Sequence, residues 1–72
     1  MIKWEPKKDG YIRGKSSFNL YYLKYDVKTD ELISIYIIKN GSTKKYWPYE
    51  LNVKTIKEAR DELELLELID KE

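Results

Sequence analysis

The chain contains neither cysteine nor histidine. Without cysteine it can form no disulfide and has no thiol nucleophile. Structural zinc sites take cysteine and histidine ligands, and the most common general base in enzymes is histidine. Serine and threonine hydroxyl groups are present, but no base is evident for them. We therefore expect no metal site, no cofactor and no enzymatic activity.

Long apolar segments are also absent. No apolar run approaches the roughly 18–20 residues that a membrane span needs. No apolar segment follows the first charged residues, as it would in a signal peptide. We predict a cytoplasmic protein without a membrane partner. A chain of 72 residues is also predicted to form a single small domain, over residues 1–72.

Positive and negative charges are distributed unevenly along the chain. Residues 1–54 hold eleven basic and six acidic residues, a net charge of +5. Residues 55–72 hold three basic and seven acidic residues, a net charge of −4. Such asymmetry indicates an electrostatic partner. The frequent Lys, Glu, Ile and Tyr fit either a thermophile or an AT-rich genome such as that of a phage, and both origins stay open.

The N-terminal half of the chain has strand signals behind an irregular arm. Proline, glycine and serine interrupt residues 1–17, and we expect an ordered arm there that adds a short strand near Tyr11. Two apolar segments follow at residues 18–27 and 32–39. Their aromatic and β-branched side chains are typical of strands. A two-residue turn at Thr29–Asp30 is expected to join them.

A second turn is predicted at Asn40–Gly41. This dipeptide is the strongest short hairpin signal, because a type I′ turn needs positive φ at both central residues. A third strand is predicted over residues 42–51. It must lie at an edge or end early, because Pro48 has no amide proton for a neighbouring strand. Residues 18–51 are thus predicted to form a three-stranded antiparallel β-meander.

The last predicted element is a helix over residues 55–70. Thr55 and Glu58 have the spacing of a capping box, which marks a helix start. The apolar stripe at helical spacing consists of Ile56, Ala59, Leu63, Leu66 and Ile69. The predicted fold class is therefore α+β, with a three-stranded meander packed against one C-terminal helix in the order β-β-β-α.

Two-residue turns would also decide which side chains share a face of the sheet. One face would then carry Phe18, Leu20, Tyr22, Ile33, Ile35, Ile37, Tyr46 and Pro48. The other would carry Tyr21, Leu23, Tyr25, Leu32, Tyr36, Ile38, Lys45, Trp47 and Tyr49. The isoleucines match the helix stripe, so we expect the second face to be uncovered. In the alternative, Trp4 and Tyr11 cover that face and form a second small core.

The stretch NVKTIKEARDELELLE, residues 52–67, resembles a segment of a known family. It is similar to the close of the AP2-like N-terminal DNA-binding domains of phage-type tyrosine integrases. Those domains end a β-β-β-α unit with a pattern like F-x-T-x-x-E-A, matched here by Val53, Thr55, Glu58 and Ala59. The family reads DNA with basic residues on an exposed sheet face. For this chain the resemblance implies DNA binding through Lys24, Lys39, Lys44 and Lys45.

These features favour a small non-enzymatic nucleic-acid-binding accessory protein of a phage or mobile element. Lysines would contact phosphates. Stacking surface would come from Tyr21, Tyr25, Tyr36, Trp47 and Tyr49. The alternative is a protein-interaction module, a small inhibitor or adaptor that binds a host protein by its sheet edge or aromatic face. Leu65 and Leu68 lie off the helix stripe and offer a seam for a homodimer.

Overall fold

Five antiparallel strands and one helix make up the fold in the computed structural model, which describes residues 1–70 and, at residue 70, the backbone alone. The strands are β1 (Lys3–Trp4), β2 (Tyr11–Lys15), β3 (Asn19–Tyr25), β4 (Leu32–Lys39) and β5 (Ser42–Tyr46). A short 3₁₀ helix (Pro48–Leu51) follows, and then helix α1 (Ile56–Asp70). The α+β class is confirmed, with five strands instead of three. Lys71 and Glu72, the end of the predicted domain, lie outside the described residues.

Each strand pairs with the next one along the chain, so the order in the sheet is β1-β2-β3-β4-β5. The N-terminal arm supplies both additional strands. The strand expected near Tyr11 is β2, which places Ile12 opposite Leu23 of β3. The two-residue strand β1, which was not predicted, places Trp4 opposite Gly14. Because β1 is so short, this edge of the sheet exposes little unpaired backbone.

The turn between β4 and β5 forms as predicted. Asn40 and Gly41 have φ values of 51° and 79°, the positive values that this hairpin turn requires. Lys39 and Ser42 pair directly across it. The strand β5 is shorter than expected and stops at Tyr46, and Pro48 begins the 3₁₀ helix instead of continuing the sheet. A proline at the first helical position needs no hydrogen-bond acceptor for its nitrogen, which explains the change of structure there.

The register between β3 and β4 differs from the prediction because of a β-bulge. Tyr25 pairs with Leu32, but Lys24 pairs with Ser34, so Ile33 has no partner across the ladder. One unpaired residue exchanges the two faces of a strand relative to its neighbour. Leu23 consequently shares a face with Ile35. The predicted turn at Thr29–Asp30 is part of a longer loop in which the Asp26 carboxylate accepts backbone hydrogen bonds.

The bulge makes the predicted assignment of the β3 faces wrong. Tyr21, Leu23 and Tyr25 face the helix and are buried, whereas Leu20 and Tyr22 lie on the opposite side. The observed register keeps the Lys24 side chain out of the core. In the predicted register Lys24 would have faced the helix, where a buried ammonium group without a partner is costly.

Helix α1 starts at the predicted capping box. The Glu58 amide donates to the Thr55 hydroxyl at 3.1 Å, and the Thr55 amide donates to the Glu58 carboxylate at 3.3 Å. Ala59 and Leu63 of the predicted stripe are fully buried, and Leu66 is partly buried. Ile69 is 59% exposed, so the last position of the stripe was predicted wrongly. The core lies between this helix and the β2–β4 strands.

A single helix cannot cover five strands. A helix is about 10 Å wide, whereas five strands spaced about 4.8 Å apart span about 19 Å. On the β1 and β2 side, Trp4 fills the gap: its ring lies 6.1 Å from that of Tyr21 and 5.4 Å from the Arg60 guanidinium group. Trp4 therefore extends the main core and does not cover the opposite face. On the β5 side the flank beside the helix stays open.

Candidate nucleic-acid interface

We call the side of the sheet opposite helix α1 the open face. Its residues follow from the strand register, since side chains alternate between the two sides. The open face consists of Lys3, Tyr11, Arg13, Lys15, Leu20, Tyr22, Lys24, Ser34, Tyr36, Ile38, Thr43 and Lys45. It combines tyrosine rings, cationic groups and a few aliphatic side chains. No acidic residue is among these strand positions, but Glu5, whose amide donates to the Arg13 carbonyl, lines a cavity with Arg13 and Tyr22.

The centre of the open face is one straight row of four directly paired residues. Arg13 pairs with Tyr22, Tyr22 with Tyr36, and Tyr36 with Lys45. Two rings thus lie side by side, with a cation at each end of the row. With strands about 4.8 Å apart, the four positions span about 14 Å. A row of this kind presents flat aromatic surface between two positive charges.

Charge separates between the sheet and the helix. The five strands contain seven basic residues and no acidic one. Helix α1 contains six acidic and two basic residues and lies on the other side of the sheet. The sequence asymmetry therefore becomes a spatial one: five of the seven strand cations lie on the open face, and the acidic helix lies on the other side of the sheet. A field of this sign attracts polyanions.

Aromatic rings and cations contact one another on the open face. The Lys45 ammonium group lies 4.2 Å from the centre of the Trp47 ring and 6.0 Å from that of Tyr36. Across the face, the Lys24 ammonium group lies 6.0 Å from the Tyr11 ring. At these distances the cations are attracted to the faces of the rings by cation–π interactions, and they remain accessible to solvent. Trp47, which directly follows β5, is 43% exposed and extends the open face.

The tyrosine at the middle of the row has a perturbed hydroxyl group. The Ser34 hydroxyl is the largest influence; together with the smaller effects of the Lys45 and Lys24 charges it outweighs burial and lowers the pKa of the Tyr36 hydroxyl. Two lysines from different strands therefore act on one ring. This electrostatic coupling agrees with a surface on which cations are concentrated.

Four of the nine predicted site residues belong to this surface. Lys24, Tyr36 and Lys45 lie on the open face, and Trp47 extends it. Tyr49 is 76% exposed, but it lies on the 3₁₀ helix and not on the sheet.

The other four predicted residues lie on the helix side of the sheet. Tyr21 and Tyr25 are only 3% and 7% exposed, so the expectation that they offer stacking surface is wrong. Lys39 and Lys44 pair with Asn19 and Ile37, residues of the helix side, and line a cleft beside the helix. The bulge explains why the two tyrosines lie on the helix side. Strict alternation of side chains along β5 explains why Lys44 and Lys45 lie on opposite sides of the sheet.

Sequence reasoning missed the contribution of β2. Tyr11, Arg13 and Lys15 lie on the open face, while Ile12 and Gly14 between them are buried. The signal was present as strict alternation of apolar and polar residues over this short segment. Tyr22 was missed because of the bulge. The position of Lys24 between two apolar neighbours was the available clue that its own face lies outside the core.

A buried polar pair fixes the helix to the opposite side of the sheet. The Tyr21 hydroxyl donates to the Glu67 carboxylate at 2.6 Å and accepts from the Asn19 amide nitrogen at 2.9 Å. Burial first, and then the bond to Glu67, raises the pKa of Tyr21 to about 12. Burial opposes ionisation of Glu67, but hydrogen bonds, chiefly from Tyr21, outweigh it and lower the pKa of the carboxyl group.

Residues 1–70 contain neither a metal-binding cluster nor a helix that could cross a membrane. Among residues 1–70, no three potential metal ligands of the types Asp, Glu, His or Cys come together as a metal-binding group. Within the same residues, α1 and the 3₁₀ helix are too short or too polar to cross a bilayer. No protein family, curated protein or solved structure matches the chain.

Proposed function

We propose that this protein binds nucleic acid through the open face. The observation that carries the proposal is the row Arg13–Tyr22–Tyr36–Lys45, set in strands that hold seven cations and no carboxylate. Arg13, Lys24 and Lys45 would contact phosphates. Tyr22, Tyr36 and Trp47 would stack on bases or pack against sugars.

Nucleic acid fits this surface better than other polyanions because it carries both charge and flat rings. Phosphate contacts supply affinity by releasing condensed counterions. Base stacking on aromatic side chains adds affinity with little dependence on sequence. The open face offers both kinds of contact within about 14 Å. The strands hold no acidic residue that would repel such a ligand, and Glu5 lies beside Arg13 at one end of the row.

The resemblance to the AP2-like domains of phage-type integrases supports the same proposal. In this chain β3, β4 and β5 are followed by the helix whose start carries the T-x-x-E-A pattern, at Thr55, Glu58 and Ala59. The face opposite the helix carries Lys24 and Lys45, two of the four lysines through which the resemblance implies DNA binding. We accordingly propose a non-enzymatic accessory role in a phage or mobile element.

The test is a titration of single-stranded and duplex DNA and RNA of matched length, followed by fluorescence anisotropy. With three phosphate contacts, log K should fall against log salt with a slope of about −2 for single strands and about −3 for duplex. A fourfold rise in salt would then weaken binding about 20- to 40-fold. Absence of binding at micromolar concentrations and low salt would contradict the proposal.

A protein partner is the second candidate, and the exposed edge of the sheet favours it. Four of the five residues of β5 are exposed, and β5 pairs only with β4. An unpaired edge can accept a strand from another chain, with Trp47 and Tyr49 beside it as apolar contacts. Capture of a host protein from a lysate, unchanged after nuclease treatment, would support this candidate. Loss of the captured protein on nuclease treatment would support nucleic acid.

A further inference from the structure

The flank of the sheet that helix α1 leaves uncovered forms a cleft of about 450 Å³ on the helix side. One wall is the C-terminal half of the helix with Leu66, and the floor includes Ile37 and Tyr46. The volume lies within the range of small-molecule sites in proteins. The cleft and the open face lie on opposite sides of the sheet, so binding of a ligand in the cleft does not depend on binding at the open face.

A buried hydrogen-bond acceptor in the lining of the cleft has no partner among residues 1–70. Asn19 lines the cleft and is 8% exposed. Its amide nitrogen donates to Tyr21, but its Oδ1 atom accepts no hydrogen bond from any residue within 1–70. Buried polar atoms are nearly always paired, and an exception calls for an explanation. A ligand with an N–H or O–H group would supply the missing donor.

The charges around the cleft assign an orientation to such a ligand. Glu67 also lines the cleft, and its carboxylate accepts a hydrogen bond from the Tyr21 hydroxyl. That negative charge would repel an anionic group. Two lysines also line the cleft: Lys39, which has an interaction of its own, and Lys44, whose side chain forms no hydrogen bond or ion pair with the residues that the structure describes. An anionic group would therefore lie beside Lys44.

We propose that this cleft binds a small organic monoanion. Its apolar body would pack against Ile37, Tyr46 and Leu66. Its N–H or O–H donor would reach Asn19 Oδ1, and its carboxylate or sulfonate would pair with Lys44. The apolar body, the donor and the anion would each contact a different part of the lining. An apolar body with few convergent polar contacts is the usual pattern of a small-molecule site.

Two dyes with the same ring system test the requirement for an anion. Anilinonaphthalene sulfonate has the apolar body, one N–H donor and an anion, whereas phenylnaphthylamine has the body and the donor alone. Both should bind with a rise in fluorescence, and the sulfonate should bind about threefold more tightly, as expected for a partly exposed ion pair. Amide NMR spectra should place the shifts at Ile37 and Lys44.

Lys44→Glu and Lys45→Glu are matched variants, because they change net charge equally on opposite sides of the sheet. Lys44→Glu should abolish the preference for the sulfonate, whereas Lys45→Glu should keep it. Equal binding of the two dyes to the unmodified protein would overturn the proposal. So would NMR shifts confined to the open face, or an equal effect of the two variants. Loss of nucleic-acid binding in the same variants would concern only the proposed function of the open face and would leave the cleft proposal unaffected.

Discussion

Lys44 and Lys45 are neighbours in the chain whose positions lie on opposite sides of the sheet. Lys44 pairs with Ile37 on the helix side, and Lys45 pairs with Tyr36 on the open face. Both are exposed residues of the edge strand β5. A change at either position therefore alters the same net charge and disturbs little packing. The pair separates effects of local surface chemistry from effects of overall charge.

Lys45→Glu is expected to weaken nucleic-acid binding much more than Lys44→Glu. Only Lys45 stands in the central row, beside Tyr36 and Trp47. Loss of one phosphate contact should reduce the salt slope by about 1. Fluorescence anisotropy at several salt concentrations measures both affinity and slope. Equal losses in the two variants would mean that net charge alone governs binding and that the open face is not the site.

Trp47→Ala is expected to weaken binding of single-stranded nucleic acid by roughly tenfold to 100-fold. Its ring is 43% exposed next to Lys45, and stacking on one base contributes about 1–3 kcal/mol. Leu68→Ala on the exposed surface of the helix is the control and should leave the affinity for nucleic acid unchanged. Circular dichroism of both variants checks the fold. An unchanged affinity of a folded Trp47→Ala variant would exclude stacking at this ring.

Tyr21→Phe is expected to destabilise the fold in a pH-dependent manner. It removes the donor to Glu67, and a hydrogen bond to a charged group contributes about 1.5–3 kcal/mol. Because folding lowers the pKa of Glu67, this stabilisation is fully present above the unfolded-state value of about 4.3. It is lost as the pH falls through the lower folded-state pKa.

Urea unfolding of the Tyr21→Phe variant at pH 7 and pH 3 measures that dependence. The difference in unfolding free energy from the unmodified protein should be smaller at pH 3. Tyr22→Phe is the matched control, because this adjacent tyrosine lies on the open face. It should change stability little at either pH. A difference for Tyr21→Phe that is the same at both pH values would show that Glu67 ionisation is not coupled to this hydroxyl.

Gly14→Ala is expected to destabilise the protein by about 1–3 kcal/mol through overpacking. A Cβ atom at Gly14 would lie 2.5 Å from two ring carbons of Trp4 and 2.9 Å from the Ile2 Cγ2 atom. Urea unfolding measures the loss. In a Trp4→Leu background the same substitution should cost less, because the ring that it meets is gone. Equal costs in the two backgrounds would rule out the ring contact as the cause.

Self-association through the helix is a further prediction. Leu65 and Leu68 are 51% and 63% exposed on α1, next to the exposed Ile69. An apolar patch of this kind can pair with its own copy in an isologous dimer. Light scattering should give the mass of a dimer, and Leu65→Glu with Leu68→Glu should restore the monomer. A monomer at all concentrations of the unmodified protein would exclude this seam.

The local signals in the sequence were reliable where one short segment determines its own geometry. Asn40–Gly41 forms the predicted turn, and Thr55 with Glu58 starts the helix. Each depends on contacts within about four residues. The open face was harder to predict, because it depends on pairing between strands. Arg13 and Tyr22 join it only when β2 and β3 have the observed register.

The sequence by itself determined the α+β class, the Asn40–Gly41 hairpin, the helix start and the excess of positive charge before the helix. The tertiary structure decided which side of the sheet presents that charge. The single unpaired residue Ile33 exchanges the faces of β3, which buries Tyr21 and Leu23 and places Tyr22 on the open face. Side chains alternate with a period of two, so a shift of one residue reverses a whole strand. A bulge follows from how the strands pack together, and no single segment encodes it.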